Sequence, residues 1–275
     1  MKKILVTTDF SKNSKAGIRF AIQLASQTPC ELIFYHVAPL GLDAWTQLDY
    51  NNLKSAENEF LKEKLTQFIK TIYKETARVA GKIDWVIENS SEVDASIILY
   101  AQKCHADYIC MSTRGGGIIN KFMGTNASSL ITTSPIPLIV VPHSYRRKTL
   151  KSILYASDVE KIATELKSVE KFASPIGASI SIYHYDYFLA EDEVKSKLNN
   201  IANTYRTDTI SFHYKHLHAE VSLINQLQED IRKSKPSIIA MFTKQDRNWF
   251  ERLFLSSKTA ALGLDTKTPL LVFRK

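Results

Sequence analysis

The residues best placed to do chemistry lie in two stretches of the first half. One is Thr7-Thr8-Asp9, with Ser11 beyond it, at the end of the apolar run Ile4-Leu5-Val6. The other is MSTRGGGIINKFMGTNASS, which runs from Met111 through Ser112, Arg114 and Gly115 to Gly124, Thr125 and Asn126. Gly115, Gly116 and Gly117 let the backbone turn tightly and approach a ligand closely. Gly124-Thr125-Asn126 reads as the opening of a helix, whose free N–H groups and dipole favour an anion such as a phosphate. The Thr125 hydroxyl can add a hydrogen bond there, and Arg114 and Lys121 can supply positive charge. Ordinary loops are also rich in glycine, so the pattern by itself leaves a phosphate site and a plain loop both open.

Other chemistries are missing. The seven histidines show no H-E-x-x-H or paired metal spacing. Gly81-Lys82 is followed by Ile83, so there is no G-x4-G-K-[ST] loop. No G-x-S-x-G elbow occurs. Cys30, Cys104 and Cys110 form no disulfide framework and read as small buried hydrophobes. The expectation is therefore no catalytic residue and no metal site, with any hydrolysis slow.

The elements that must position these stretches come from an internal repeat. The chain opens ILVTTDFSKNSKAGIRFAIQLASQTPCELIFYHV, and after residue 150 it offers ILYASDVEKIATELKSVEKFASPIGASISIYHYD. Asp9 matches Asp158, and Tyr35-His36 matches Tyr183-His184. ADYICMST (106–113) parallels PSIIAMFT (236–243), and IPLIVV (136–141) parallels TPLLVF (268–273). The first copy is longer, and its surplus falls in a helical insert around residues 41–75. Apolar, β-rich runs at 3–8, 31–37, 83–88, 107–112 and 137–141 suggest strands buried on both faces. Helical patterns lie between them at 14–27, 53–79 and 92–104, the last with Ser91 and Asp94 placed as a capping box. The second copy repeats the strands at 152–156, 179–185, 208–214, 237–242 and 269–273. Strands alternating with helices imply βαβ units. The fold expected is α/β, two tandem doubly wound parallel-sheet domains over 1–148 and 149–275, with the strand ends of the first as its ligand edge.

Length and composition agree with that plan. The 275 residues suffice for two ordinary domains, and 44% hydrophobic with 23% charged residues can build cores in both. The net charge of +8 is spread along the chain among acids. Its densest run, Arg146-Arg147-Lys148, reads as a solvated linker, and no nucleic-acid module is legible. No apolar run approaches the ~20 residues of a membrane span, and Thr7, Thr8 and Asp9 interrupt the opening run too early for a signal peptide. The reading is a cytoplasmic protein with no specific nucleic acid and no membrane among its partners.

Both halves together resemble the universal stress protein family. The loop is similar to its G-x2-G-x9-G-[ST] signature, the opening Asp9 and Ser11 to its P-x-D-x-S start, and Tyr35-His36-Val37 to its second-strand ending. The sequence departs from that pattern at Ser112, which stands for the first glycine, at Thr7, where many members have Pro, and in having eight residues between Gly115 and Gly124. The resemblance implies Rossmann-like domains and binding of ATP, with Mg, or of another adenine nucleotide by a stress-response sensor or switch. It implies Asp9 and Val37 at the base, with Thr8 a further binding residue beside Asp9, Met111, Ser112, Arg114 and Gly115 at the ribose and loop, and Gly124, Thr125 and Asn126 at the phosphates. The Ser112 side chain would crowd the ribose. Family members commonly dimerise through their last strands, which implies an intramolecular pseudo-dimer here and homo-oligomers through sheet edges. The second half has MFTKQDRNWFERLFLSSKTAA where the glycine loop should be, with no glycine between Met241 and Ser257, and reads as a degenerate copy. The alternative is a nucleotide-free protein-interaction module of the same fold.

Overall fold

The computed structural model describes residues 1–38, 47–76, 83–113, 125–186, 192–217, 222–243 and 267–275. They form two compact units that part between Arg147 and Lys148.

The first unit alternates strand and helix throughout: β1 Lys2–Thr7, α1 Lys15–Ala25, β2 Cys30–Ala38, α2 Gln47–Glu75, β3 Asp84–Asn89, α3 Val93–Lys103, β4 Tyr108–Ser112, α4 Thr125–Thr133 and β5 Leu138–Val141. Its strands are all parallel in the order β3-β2-β1-β4-β5. Winding thus changes direction between β1 and β4, the switch point at which open sheets leave a crevice. Ile4, Leu5, Val6, Ile109, Cys110, Ile139 and Val140 are all buried, as central parallel strands require. Helices α1 and α2 pack on one another, and so do α3 and α4.

The second unit contains β6 Ser152–Ala156, α5 Ile162–Ala173, β7 Ser179–Asp186, α6 Asp192–Tyr205, β8 Ile210–His216, α7 Leu223–Ser234, β9 Ile238–Thr243 and β10 Leu270–Arg274. Its parallel order, β8-β7-β6-β9-β10, repeats that of the first. The expected helical surplus of the first copy is visible in α2, 29 residues long against 14 in its counterpart α6.

Three local expectations need correction. The Ser91–Asp94 capping box does not form: α3 starts after Glu92, with no side-chain cap, and the Ser90 hydroxyl accepts from the Glu92 amide. One Asp94 carboxylate oxygen is buried without a hydrogen-bond partner, and burial raises its pKa. Cys110 is buried, but Cys30 and Cys104 are half-buried. Burial nonetheless pushes the Cys30 thiol up to about 11 and raises that of Cys104, so neither is an activated nucleophile. The Arg146-Arg147-Lys148 run is exposed, yet it is tethered, with Arg147 donating to the Thr76 carbonyl and Lys148 to that of Pro236 at 2.8 Å.

One close approach holds α1 against β4. A Cβ on Gly17 would lie 3.0 Å from Ser112 Oγ and 3.2 Å from the Met111 carbonyl carbon. The backbone of β4 cannot retreat without breaking its ladders on both sides. Gly17→Ala is expected to cost about 1–3 kcal/mol of stability by overpacking, seen as a lower urea midpoint. An unchanged midpoint would mean that α1 slides freely on the sheet.

Candidate functional site

The edge formed by the C-terminal ends of β1, β2 and β4 collects five of the candidate residues: Thr8, Asp9, Val37, Met111 and Ser112. At the end of β1 the Thr8 amide donates to the Tyr35 carbonyl at 3.0 Å, one step past the ladder. The chain then turns through Phe10, whose φ of 61° is unusual for a bulky residue. Two side chains hold that turn. Thr8 Oγ1 accepts from the Phe10 amide at 3.1 Å, and His36 Nδ1 donates to the Thr8 carbonyl at 2.8 Å. The Phe10 ring rests on the His36 ring, with centroids 4.3 Å apart, and meets Phe68 of α2 edge-on. Lys64 Nζ stands 4.7 Å from its centroid.

Asp9 lies outside this cluster, exposed at the strand end. Its Oδ1 accepts from the Ser11 amide at 3.0 Å. Partial burial works to raise its pKa, but the Ser11 hydroxyl and amide and the Ser14 hydroxyl outweigh it and hold the carboxyl below its usual range. Asp9 is therefore a fixed, charged acceptor. Val37 is half-buried near the end of β2, and Met111 is buried in β4.

Ser112 ends β4 facing the start of α1. Its hydroxyl accepts from the Gly17 amide at 2.6 Å and donates to the Ser14 carbonyl at 3.1 Å. The oxygen is thus committed to the first turn of α1, whose opening N–H groups have no intrahelical acceptor. Thr125 is the first residue of α4 and Asn126 the second; of their side chains nothing is described. A crossover helix between parallel strands runs antiparallel to them, so the start of α4 belongs to the same edge. Arg114, Gly115 and Gly124, with Gly116, Gly117 and Lys121, lie outside the described residues.

The second unit keeps the frame and changes the contents. Ser157 repeats Thr8: its amide donates to the Tyr183 carbonyl at 2.9 Å, and its Oγ accepts from the amide of Val159, φ 59°, at 3.1 Å. His184 Nδ1 donates to the Ser157 carbonyl at 2.9 Å, as His36 does to Thr8. Phe242 stands in the place of Ser112, its ring stacked on Phe273 at 4.8 Å and set edge-on to Tyr155. Asp158 is ion-paired with Lys275, whose ammonium also lies 3.4 Å from both Glu160 and Glu165. The stretch that replaces the glycine loop lies outside the described residues over 244–266.

The sequence reading passed over His36, Phe10 and Lys275. The Tyr-His pair repeated in both halves was the available signal for the histidine. Nothing in a sequence marks a phenylalanine or a valine for positive φ.

The profile of the universal stress protein family matches residues 1–142. The chain belongs to the universal stress protein family. Among curated proteins none matches it. Of solved structures, a universal stress protein from Archaeoglobus fulgidus is similar over 99% of this chain and 98% of its own, at 15% identity and a TM-score of 0.67. A putative universal stress protein from Pseudomonas aeruginosa covers 100% of this chain and 93% of its own, at 13% identity and a TM-score of 0.64. These likenesses show the fold for both units of this universal stress protein. Another member, solved in complex with cAMP, matches 51% of this chain and 96% of its own at 17% identity and a TM-score of 0.39, which says nothing about the ligand of this one. Among the described residues no helix is long and apolar enough to cross a membrane.

The buried imidazole makes the strand-end turn sensitive to acid. Burial lowers the His36 pKa from 6.5, more than the Thr8 carbonyl and Asp9 raise it, and Lys64 adds to the lowering. Its folded value lies below its unfolded one, so its contribution is complete above 6.5 and is lost as pH falls through the folded value. Urea midpoints measured from about pH 7.5 down to about pH 5 should fall less steeply in His36→Gln than in the parent. Equal slopes would show that the ring is free to ionise in place.

Proposed function

We propose that the first unit of this universal stress protein binds ATP or another adenine nucleotide at the ends of β1, β2 and β4, and acts as a sensor or switch in a stress response. The observation that carries the reading is the strand-end turn itself. It presents the ionised Asp9 at the switch point of a parallel sheet, on the same edge as the start of α4. A charged acceptor suits the amino group of an adenine, and a helix start suits phosphates. In this reading Thr8, Asp9 and Val37 surround the base, and Met111, Ser112, Arg114 and Gly115 the ribose and loop. Gly124, Thr125 and Asn126 hold the phosphates.

With its hydroxyl turned to α1, Ser112 presents less bulk toward the ligand edge than its sequence position alone suggests. A Mg ion would arrive with the nucleotide, since no three metal-ligating side chains gather among the described residues. The bound nucleotide supplies phosphate charge to read; the protein's own part is to orient it. Hydrolysis has no nominated general base, because Asp9 is committed to the base end.

A second reading, a protein-interaction module without nucleotide, is favoured by the second unit. There the matching Asp158 is already ion-paired with Lys275, and Phe242 fills the place of Ser112. The two readings separate in one calorimetric titration of the purified chain with Mg-ATP, with Gly124→Asp and Asp9→Asn as variants. Saturable one-site binding is expected, abolished by Gly124→Asp and weakened about tenfold or more by Asp9→Asn. No heat at millimolar ATP from folded protein would sink the nucleotide reading and leave the interaction module.

A further inference from the structure

The second unit has a cavity of about 70 Å3 at the C-terminal ends of β6 and β7. Ala156, Leu223 and Leu227 give it an apolar side, and Ser157, Asp158, His184 and Tyr185 a polar one. Water occupies ~30 Å3 per molecule, so the space suits two waters or a short organic group.

The chemistry of the wall can be read from where its donors go. The Ser157 hydroxyl donates to the Tyr155 hydroxyl at 3.1 Å. The Tyr185 hydroxyl donates to Asp230 Oδ2 at 3.0 Å, which leaves its ring to line the cavity. His184 Nδ1 carries its proton to the Ser157 carbonyl, so Nε2 is the ring atom that holds a lone pair in the neutral form. Every side-chain donor of the lining is thus committed to protein, and the lining groups with accepting capacity left are His184 Nε2, the Tyr185 ring and the Asp158 carboxylate, whose oxygens already take the Glu160 amide and the Lys275 ammonium but keep further lone pairs. Charge points the same way. Asp158 and Glu165 alone outnumber the Lys275 ammonium they share, and Glu160 stands 3.4 Å from the same ammonium. Glu165 is 4% exposed, and its Oε1 accepts no hydrogen bond.

We infer that this cavity binds a small organic cation, a primary amine on a short apolar body. The ammonium would sit against Asp158 and His184 Nε2, and the alkyl part against Leu223 and Leu227. Tyr185 contributes its ring face, which attracts cations. Such a ligand supplies the donors that the wall lacks and offsets the surplus negative charge. The inference does not rest on nucleotide binding in the first unit and survives its failure.

The test is NMR titration of the full chain with butylamine, with 1-butanol and butyrate as neutral and anionic probes of matched size. Butylamine should give saturable shifts at Ser157, His184 and Leu223 with millimolar affinity, while the other two give none. Asp158→Asn should weaken the amine about tenfold or more, the loss expected for a charge-assisted hydrogen bond. Leu223→Trp, at a half-buried position in the lining, should abolish binding while leaving the amide spectrum of the first unit unchanged. Equal binding of butylamine and 1-butanol would overturn the charge argument. Shifts untouched by both variants would overturn the location. No shifts from any probe would mean that the cavity holds ordered water only.

Discussion

In each unit the chain leaves its first strand through a turn that needs outside help, and the rest of the ligand edge depends on it. The residue after the aspartate takes a left-handed conformation, φ 61° at Phe10 and 59° at Val159. For a residue with a Cβ this costs roughly 1–2 kcal/mol. The carbonyl two residues before it, that of Thr8 or Ser157, lies past the end of the strand and must find a donor. Two hydrogen bonds, each with a net value of about 1 kcal/mol, meet these needs. A hydroxyl one residue before the aspartate takes the strained residue's amide, and a histidine from the neighbouring strand serves the carbonyl. The arrangement occurs twice with different strained residues, so the aspartate it presents, and not the residue that is strained, is the constant outcome.

Built on one frame, the two units diverge at the contact between the first helix and the fourth strand of each. In the first, Gly17 lets α1 approach β4 until the Ser112 hydroxyl bonds both the Gly17 amide and the Ser14 carbonyl. Small residues face one another there, and the polar atom of one satisfies the helix start of the other. In the second unit the matching residues are Leu166 and Phe242, both buried, and the aromatic stack of Phe242 on Phe273 takes over. The position of Ala16 is held by Glu165, which accepts from the Tyr155 hydroxyl. A carboxylate buried to that degree demands a cation, and Lys275 provides it. Aromatic bulk, a buried acid and a lysine are therefore linked consequences of giving up the close approach.

Much of this was legible in the sequence because it rests on periodicity. The apolar runs place all ten strands to within a few residues of their observed ends, since buried parallel strands write themselves as continuous apolar runs. Even β3, half-buried along most of its length, matches its apolar run. What the sequence hid was local and angular. Ser91 and Asp94 have the spacing of a capping box, but α3 starts one residue later, after Glu92, whose amide donates to the Ser90 hydroxyl. Ser112 could be placed at the site but not oriented, since a serine rotamer is chosen by the acceptors around it. The Lys275 network joins residues more than a hundred positions apart with no shared pattern. Arg114, Gly115 and Gly124, the most sequence-like part of the motif, lie outside the described residues.

Asp9 and Asp158 show how the same residue at the same turn comes to offer different chemistry. Each carboxylate spends one oxygen on the amide two residues ahead. Asp9 keeps its charge through hydroxyl and amide donors of its own loop, and no ion pair reaches it among the described residues. Neutral donors lower the free energy of an anion without cancelling its field, so Asp9 still attracts an incoming donor. Asp158 is instead met by an ammonium that is shared with two further acids, which pull that cation in three directions. Sharing weakens its hold on any one carboxylate. At its turn the first unit thus presents a carboxylate with no ion pair among the described residues, and the second a carboxylate that shares one cation with two further acids. That difference follows from the side chains across from the turn, because the turn itself is the same in both.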